Sequence, residues 1–216
     1  MNEITMKTTR GMTTINLRYV SAYTVNKEIM RKIKKIGAGG IGSYLASFLD
    51  RIGIYDVTIF DDDKVEEKNL TYQNFTAGHL GMHKVDVFVN AKSNPYQVLV
   101  EKQLQGYDLV ICCADNLTAR RLVYSQGFGD DAKLKWLDLR SQGRNAALIS
   151  YKIDPNLMDT LLAGPDGSFS CQGSEWDGKP EGINCMHMVI AGAATQWIQR
   201  WWNDNNNVID KMVMNI

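Results

Sequence analysis

Hydrophobic residues along the chain alternate between short continuous runs and longer runs with helical spacing. The run "KIKKIGAGG" (32–40) predicts a short strand that enters a glycine turn. It is followed by "IGSYLASFLDRIG" (41–53), whose apolar residues recur at three- and four-residue intervals up to Gly53 and so predict a helix. A strand followed directly by a helix is the repeating unit of α/β folds.

The same alternation continues to the end of the chain. Further strands are predicted at 56–60, 96–102, 107–113, 133–139, 145–153 and 208–216, and further helices at 79–95, 116–128 and 185–204. The strand at 107–113 has no polar alternation, as expected of a strand covered on both faces. We therefore predict one α/β domain over 1–216, with a Rossmann-like, doubly wound, mostly parallel sheet and helices on both faces. An N-terminal arm or edge strand in 1–31 and a crossover-type loop in 155–185 complete the prediction.

Composition argues against two classes of partner. The 24 Lys and Arg residues balance 24 Asp and Glu residues, so there is no electrostatic basis for binding nucleic acid. No apolar run approaches the length of a membrane span and the N-terminus has no signal-peptide core, so we expect a cytoplasmic protein with no membrane partner. Cys112 and Cys113 lie within an apolar strand, where we expect buried free thiols.

The glycine turn carries the motif G-x-G-x-x-G, formed by Gly37, Gly39 and Gly42 between a strand and a helix. Such glycines allow a tight turn and the close approach of a phosphate, whose charge the helix N-terminus stabilises. Asp61 lies 24 residues after Gly37, at the end of the second strand, where a carboxylate can hold ribose hydroxyls. The motif in this setting predicts nucleotide binding. The alternative is a glycine turn that serves packing alone.

Other polar residues favour a nucleoside triphosphate over a nicotinamide dinucleotide. The carboxyl ends of the strands in an open α/β sheet face one crevice, which brings Asp61, Asp115 and the glycine loop together. Lys84 can reach the same pocket as a cation for phosphates. A carboxylate beside a polyphosphate is repulsive unless Mg²⁺ intervenes, so Asp115 could hold a divalent metal there.

These segments resemble the ubiquitin-activating superfamily in its bacterial form, the MoeB/ThiF/HesA adenylating enzymes. The resemblance covers about half the chain and is carried by "KIGAGGIGSYLASFLDRIGIYDVTIFDDDKVEEKNLTYQ", "GMHKVDVFVNAKSNP" and "YDLVICCADNLTARRLVYS", with a weaker echo in "CMHMVIAGAATQWI". The family's acidic strand end, its N-L-x-R-Q element, its G-x-x-K helix and its C-x-D-N-x-x-x-R stretch occur in this order.

The resemblance implies a minimal ThiF-like enzyme that uses ATP and Mg²⁺ to adenylate a C-terminal carboxylate, that of a small ubiquitin-like or sulfur-carrier protein. It further implies a homodimer. Asp61 would grip the ATP ribose, Lys84 a phosphate, and Asp115 the magnesium. The remaining residues of the implied pocket are Gly37, Gly39, Gly40, Gly42, Asp63, Asn69, Gln73 and Asn116.

Three features depart from the family pattern. Tyr72 stands where N-L-x-R-Q has its arginine, so a cation is missing that Arg10 or Arg18 of the arm would have to replace. Many relatives carry two C-x-x-C pairs for zinc, whereas here Cys171 has Ser174 at the fourth position of the motif and no second pair follows, so we expect no structural zinc. No C-terminal domain is expected after this fold.

Cys185 precedes the last helix at the place where thiamin-pathway relatives have a reactive cysteine. The helix N-terminus favours a thiolate there, and His187 is a conceivable acid/base neighbour. Cys171 lies in a Gly/Ser loop, where we expect an ordinary thiol pKa. Cys185 is therefore the predicted acceptor thiol. The alternative is a cysteine that only packs at the helix start.

Trp197, Trp201 and Trp202 share helical spacing and indicate a core or dimer face. Two other functions stay open at this point. A catalytically degenerate nucleotide-binding partner of the same fold is favoured by Tyr72. An NAD-dependent oxidoreductase is disfavoured by Asp115 and Lys84.

Overall fold

The computed structural model describes residues 3–8, 11–16, 31–88, 91–94, 104–127, 134–163, 170–174, 176–204 and 207–216. The chain divides into two compact units, Met1–Met30 and Arg31–Ile216. In the first unit, β1 (Glu3–Thr8) and β2 (Gly11–Asn16) pair as an antiparallel hairpin. The assignment of 1–216 to a single domain stays a prediction.

The second unit is built on one seven-stranded sheet. Its strands are β3 (Arg31–Ile36), β4 (Tyr55–Phe60), β5 (Lys92–Asn94), β6 (Leu109–Cys112), β7 (Trp136–Gln142), β8 (Asn145–Ser150) and β9 (Lys211–Asn215). Its helices are α1 (Gly40–Ile52), α2 (Glu67–Leu70), α3 (Leu117–Gly127), α4 (Met158–Leu161) and α5 (Met186–Asn203). Single 3-10 turns occur at Ala77–His79, Lys84–Val87, Pro155–Leu157 and Pro180–Gly182.

The strand order is β5-β4-β3-β6-β7-β8-β9. The first five strands are parallel, and β8 and β9 continue the sheet antiparallel. From β3 the chain builds outward first through β4 and β5 and then, on the other side, through β6 and β7. This reversal is the switch point of a doubly wound fold, and it confirms the predicted Rossmann-like α/β architecture.

Side chains of β3 alternate between two layers, as the two-residue period of a strand requires. Ile33 packs into one core with Leu45 of α1 and Ile190 of α5. Ile36 points to the other core, which includes Val123 of α3. Each face of the sheet is therefore covered by helix.

The predicted helix at 79–95 is wrong. Residues 77–79 and 84–87 form single 3-10 turns, and residues 92–94 form β5 beside β4. Gly81 lies between the turns with φ of +81°, a left-handed conformation that interrupts a helix. A bridge between Lys64 and His83 then ties this segment to the chain after β4. The predicted strand at 96–102 lies outside the described residues.

The three tryptophans of α5 lie in or against the core. Trp197 and Trp201 are only 4% and 1% exposed, and Trp202 packs edge-on against Tyr55. The prediction of a dimer rested on a surplus of aromatic surface here as well as on the family resemblance, and Trp197 and Trp201 offer no such surplus. Among the described helices, none is both long enough and apolar enough to cross a bilayer.

Candidate functional site

The glycine loop joins β3 to α1 and is held between the ends of two neighbouring strands. Gly37 has φ of +91°, and its amide donates a hydrogen bond to the Phe60 carbonyl over 2.8 Å. A Cβ atom at Gly37 would lie 3.0 Å from backbone atoms of Cys113 and Ala114. Only glycine fits this turn, since the backbone after β6 leaves no room for a side chain.

The other glycines divide the loop into a packed side and an open side. A side chain at Gly42 would overlap the Gly37 carbonyl, and one at Gly40 would overlap the Cys171 sulfur. At Gly39 an added Cβ would meet no atom within 4 Å. Gly39 is also the N-cap of α1 and supplies no side-chain cap. The first amides of this 13-residue helix thus have no side-chain cap, and the position at Gly39 beside them is open, the arrangement that binds phosphate in this fold class.

Asp61 fastens the end of β4 to this loop. Its Oδ2 accepts a hydrogen bond from the Ala38 amide at 2.5 Å, and its Oδ1 accepts one from the Asp63 amide at 3.0 Å. Burial raises the pKa of Asp61, while the Ala38 amide and the charge of Lys84 act in the opposite direction. Each carboxylate oxygen has a second lone pair, so the group can also accept from a ribose hydroxyl.

Lys84 is buried, and its Nζ lies 2.7 Å from the Asp63 carboxylate. The Lys84 amide also donates to the Asp63 carbonyl over 2.9 Å, which fixes the two residues side by side. In the described part of the chain, one group of residues could hold a metal ion, namely Asp61, Asp62 and Asp63. Lys84 and these carboxylates thus form a compact polar edge next to the glycine loop.

The predicted magnesium ligand is not part of that acidic group. Asp115 follows β6 and is exposed, and it is close enough to Cys171 that its charge contributes to raising the pKa of that thiol. Its neighbour Asn116 accepts a hydrogen bond from the Ala119 amide at 3.0 Å and so begins α3. Magnesium binding at Asp115 stays a prediction.

Asn69 and Gln73 are both buried, but their contacts are with the protein itself. The side-chain Oδ1 of Asn69 accepts from the Glu66 amide at 2.9 Å, and this bond caps the start of α2. Gln73 Nε2 donates to the Tyr72 hydroxyl over 3.1 Å, and Gln73 Oε1 has no hydrogen-bond partner. Their predicted place along a triphosphate stays a prediction.

Tyr72 lies in an aromatic group formed with the segment before α5. Its ring centroid is 5.3 Å from that of Trp176 and 6.1 Å from that of His187, both edge-on. Tyr44 of α1 contacts His187 from the other side, with ring centroids 5.5 Å apart. Arg10 and Arg18, the proposed replacements for the missing cation, lie outside the described residues.

Sequence reasoning missed the polar group that closes the segment from 170 to 184 onto α5. Gln172 is 1% exposed; its Oε1 accepts from the Asn184 amide at 2.8 Å, and its Nε2 donates to the Asn184 carbonyl over 3.1 Å. His187 is fully buried, and its Nδ1 lies 2.9 Å from the same carbonyl. Burial lowers the pKa of His187. This histidine is a packed, hydrogen-bonded residue beside the loop.

The four cysteines differ in exposure. Cys185 is exposed at the N-cap of α5. Burial raises the pKa of Cys171 to about 11, so the expectation of an ordinary pKa there is wrong. The error arose because the loop packs against Gly40 rather than lying free. Burial likewise raises the pKa values of Cys112 and Cys113, to about 11 and 12.

Lys35 of β3 was also missed. It is fully buried, and its Nζ donates to the Gly37 carbonyl over 2.8 Å. Desolvation lowers its pKa, while the charges of Cys113 and Asp61 act in the opposite direction. The sequence did contain a signal for this residue. Two consecutive lysines lie inside a predicted strand, next to apolar residues that predict burial.

A buried ionic group joins α3 to β7 near the same strand ends. Asp138 is fully buried and accepts from Arg120 Nε at 3.0 Å and Arg140 Nε at 2.9 Å. The Tyr124 hydroxyl donates to it over 2.8 Å. The sequence indicated Arg120 only as the arginine of the family's C-x-D-N-x-x-x-R stretch. No sequence pattern predicted that Asp138 is its partner.

Comparison with known proteins agrees with this geometry. The model of the ThiF family matches residues 27–198. Over 111 residues the chain is 33% identical to the adenylyltransferase and sulfurtransferase UBA4 of Yarrowia lipolytica, which covers 43% of this chain and 27% of that protein. Over 133 residues it is 27% identical to ubiquitin-like modifier-activating enzyme 5 of Aedes aegypti, which covers 50% of this chain and 33% of that protein.

Two solved structures share the fold. The crystal structure of E. coli MccB with ATP superposes with a TM-score of 0.62 at 16% identity, over 91% of this chain and 63% of that one. The crystal structure of PaaA gives 0.61 at 16% identity, over 86% and 61%. The chain thus spans a third or less of the two curated relatives and about three fifths of these structures. The match over residues 27–198, on the fold and glycine loop described above, shows that the chain belongs to the ThiF family.

Proposed function

We propose that this protein binds ATP with magnesium and adenylates the C-terminal carboxylate of a small ubiquitin-like or sulfur-carrier protein. The observation that carries the proposal is the glycine loop, in which the position of Gly39 is open, the start of α1 has no side-chain cap, and Asp61 holds the Ala38 amide. The names of the relatives, an adenylyltransferase and a modifier-activating enzyme, support the same chemistry.

Each residue of the pocket then has a definite task. Amides of the loop and of the first turn of α1 bind phosphate oxygens, and Asp61 accepts from a ribose hydroxyl. The Lys84 ammonium has two further N–H groups besides the one directed at Asp63, and these can donate to a phosphate. Carboxylates at 61–63 or at Asp115 are the ligand type that magnesium prefers, and the ion would neutralise phosphate charge.

The reaction is an in-line displacement at phosphorus. A carboxylate oxygen of the substrate forms a bond to the α-phosphorus, the bond to the bridging oxygen breaks, and pyrophosphate leaves with the electron pair. Because the protein contributes no covalent step here, catalysis consists of positioning and charge neutralisation. The acyl adenylate then reacts with a thiolate at Cys185, which forms a thioester and releases AMP.

The test is exchange of labelled pyrophosphate into ATP in the presence of small proteins ending in glycine. Each protein is paired with its C-terminal amide, which cannot attack phosphorus. We expect exchange only with the free carboxylate. Asp115→Ala should abolish it and leave adenosine affinity largely intact, whereas Asp61→Ala should weaken adenosine binding itself. NAD binding without ATP binding would overturn the proposal.

A second candidate is a nucleotide-binding partner without catalytic activity. It is favoured by Tyr72, which lies where the family has an arginine and is occupied by ring contacts with Trp176 and His187. Losing one charge-stabilising group of this kind lowers a rate by about 10²- to 10³-fold. ATP binding without exchange, for every carboxylate tested, would favour this second candidate.

A further inference from the structure

Lys35 has no role in the reaction proposed above, although it lies next to the glycine loop. It lies one residue before the end of β3, on the face that carries Ile33 and packs against α1. Its side chain runs along that face toward the start of α1 and is fully buried. A charged side chain placed there loses its hydration, which costs free energy unless the charge is paired or hydrogen-bonded.

The surroundings of the ammonium group place it directly behind the glycine loop. It donates to the Gly37 carbonyl over 2.8 Å, and a Cβ atom at Gly42 would lie 3.0 Å from it. The ring of Phe88 lies 5.9 Å away. The group thus occupies the packed side of the loop, whereas Gly39 faces open space.

The Asp61 carboxylate near Lys35 has the sign that favours the protonated amine. Its charge opposes the desolvation that lowers the pKa of Lys35. Asp61 is the carboxylate that also holds the Ala38 amide, so the cation and the anion lie against the same loop. Tyr72 contributes no cation to the site from its own position.

We propose that Lys35 is a positioning residue for the nucleotide phosphates, whose ammonium group fixes the Gly37 carbonyl and adds a positive charge behind the loop. The inference rests on the proposed function, because it needs a phosphate on the open side. It also offers a source for the charge that the family's arginine would supply. A buried charge is screened less than an exposed one, so it can act across the thickness of one loop.

Lys34 is a matched control. It is equally buried and adjacent in β3, but it faces the other layer, where its Nζ lies 3.7 Å from the centroid of Phe60. Lys35→Met and Lys34→Met therefore remove the same charge from the same strand at equal burial. Only the first change removes it from behind the loop.

The experiment is calorimetry of ATP and of adenosine with the full chain. We expect Lys35→Met to weaken ATP binding about 10- to 100-fold and adenosine binding less than about twofold, in line with the loss of one charged hydrogen-bonding group. Lys34→Met should bind both ligands as the wild type does. Lys35→Gln removes the charge but keeps side-chain N–H donors, on a side chain one bond shorter than that of lysine. It should bind ATP as weakly as Lys35→Met.

Three results would overturn the inference. The first is an ATP affinity of Lys35→Met equal to that of the wild type. The second is a loss of adenosine affinity as large as the loss of ATP affinity, which would show only that the loop has collapsed. Wild-type ATP affinity in Lys35→Gln would assign the effect to the hydrogen bond and not to the charge. A wild-type protein that binds neither ligand would instead defeat the proposed function, and the inference with it.

Discussion

Lys34 and Lys35 are consecutive and fully buried, on opposite faces of β3. Desolvation lowers the pKa of both, that of Lys34 to about 8. Lys34 lies between the rings of Phe60 and Tyr107, whose faces attract a cation and offset part of the cost of burial. Below pH 8 the folded and the unfolded chain both carry the Lys34 proton. Folding at this pH therefore includes the full free-energy cost of burying the Lys34 charge, less the part that the ring contacts offset.

We therefore predict that Lys34→Met stabilises the protein. The shift from 10.5 to about 8 corresponds to about 3 kcal/mol, and the ring contacts reduce the expected gain at pH 7 to about 2 kcal/mol. The wild type should become more stable between pH 8 and 10.5, where the folded chain loses its proton first, so the difference should shrink there. Urea unfolding at both ends of this range measures it. The exposed Lys32→Met is the control, and a destabilised Lys34→Met would contradict the prediction.

The thiols give a second prediction for single residues. Cys185 is exposed at the start of α5, whereas burial raises the pKa values of Cys171, Cys112 and Cys113 to about 11 or 12. We expect iodoacetamide at neutral pH to label Cys185 at least about tenfold faster than Cys171, because only the thiolate reacts. Peptide mass spectrometry of a time course resolves the sites. Equal rates at Cys171 and Cys185 would leave Cys185 as an ordinary packing cysteine.

At the scale of elements, the junction of α3 and β7 depends on one buried charge. Asp138 is shared by Arg120 and Arg140, and its removal would leave two guanidinium groups without their anion. We predict that Asp138→Asn costs about 3 to 5 kcal/mol in unfolding free energy. Asp56→Asn, which breaks the exposed pair with Lys92, should cost about 1 kcal/mol or less. Equal losses of unfolding free energy in the two variants would show that the buried ionic cluster contributes no more than an exposed ion pair.

The segment before α5 is closed by side-chain hydrogen bonds rather than by a strand or helix. Gln172→Ala would leave the Asn184 amide without its acceptor and would remove one of the contacts of the buried His187 Nδ1. We expect a loss of about 2 to 3 kcal/mol in stability, and faster amide hydrogen exchange confined to residues 170–187. Lys179→Ala, in the same segment but with an exposed side chain, should leave exchange unchanged. Unchanged exchange in Gln172→Ala would contradict this role.

Sequence patterns predicted the elements whose periodicity is local. The strand predicted in 32–40 and the helix predicted in 41–53 are β3 and α1 of the structure. Both could be predicted because the glycine turns and the apolar spacing indicate the same boundaries. The helix expected at 79–95 failed because apolar spacing alone does not register the left-handed turn at Gly81. Gly37 and Asp61 could be predicted since strand ends and glycine turns are readable. The buried contacts of Lys35 and Asp138 could not be predicted in this way, because they depend on how segments pack across the fold, which no local pattern encodes.

At the scale of the whole molecule, self-association stays a prediction that now rests on the family resemblance alone. Trp197 and Trp201 are used within the chain's own core. We still expect a homodimer of about 49 kDa, twice the 24.3 kDa of one chain, from the resemblance to the family. Multi-angle light scattering across micromolar concentrations decides between dimer and monomer. A mass that stays at that of one chain would contradict the prediction.

The central position of β3 also sets an order of events as the chain folds. Its neighbour β4 follows after one helix, but its other neighbour β6 comes only after residues 37–108. Pairings across such separations form slowly, since the intervening chain must first be confined. Gly37 lies against the backbone after β6, so the glycine loop cannot take its final shape until that late pairing is made. During synthesis or refolding, the gain of nucleotide binding should therefore mark the completion of the sheet.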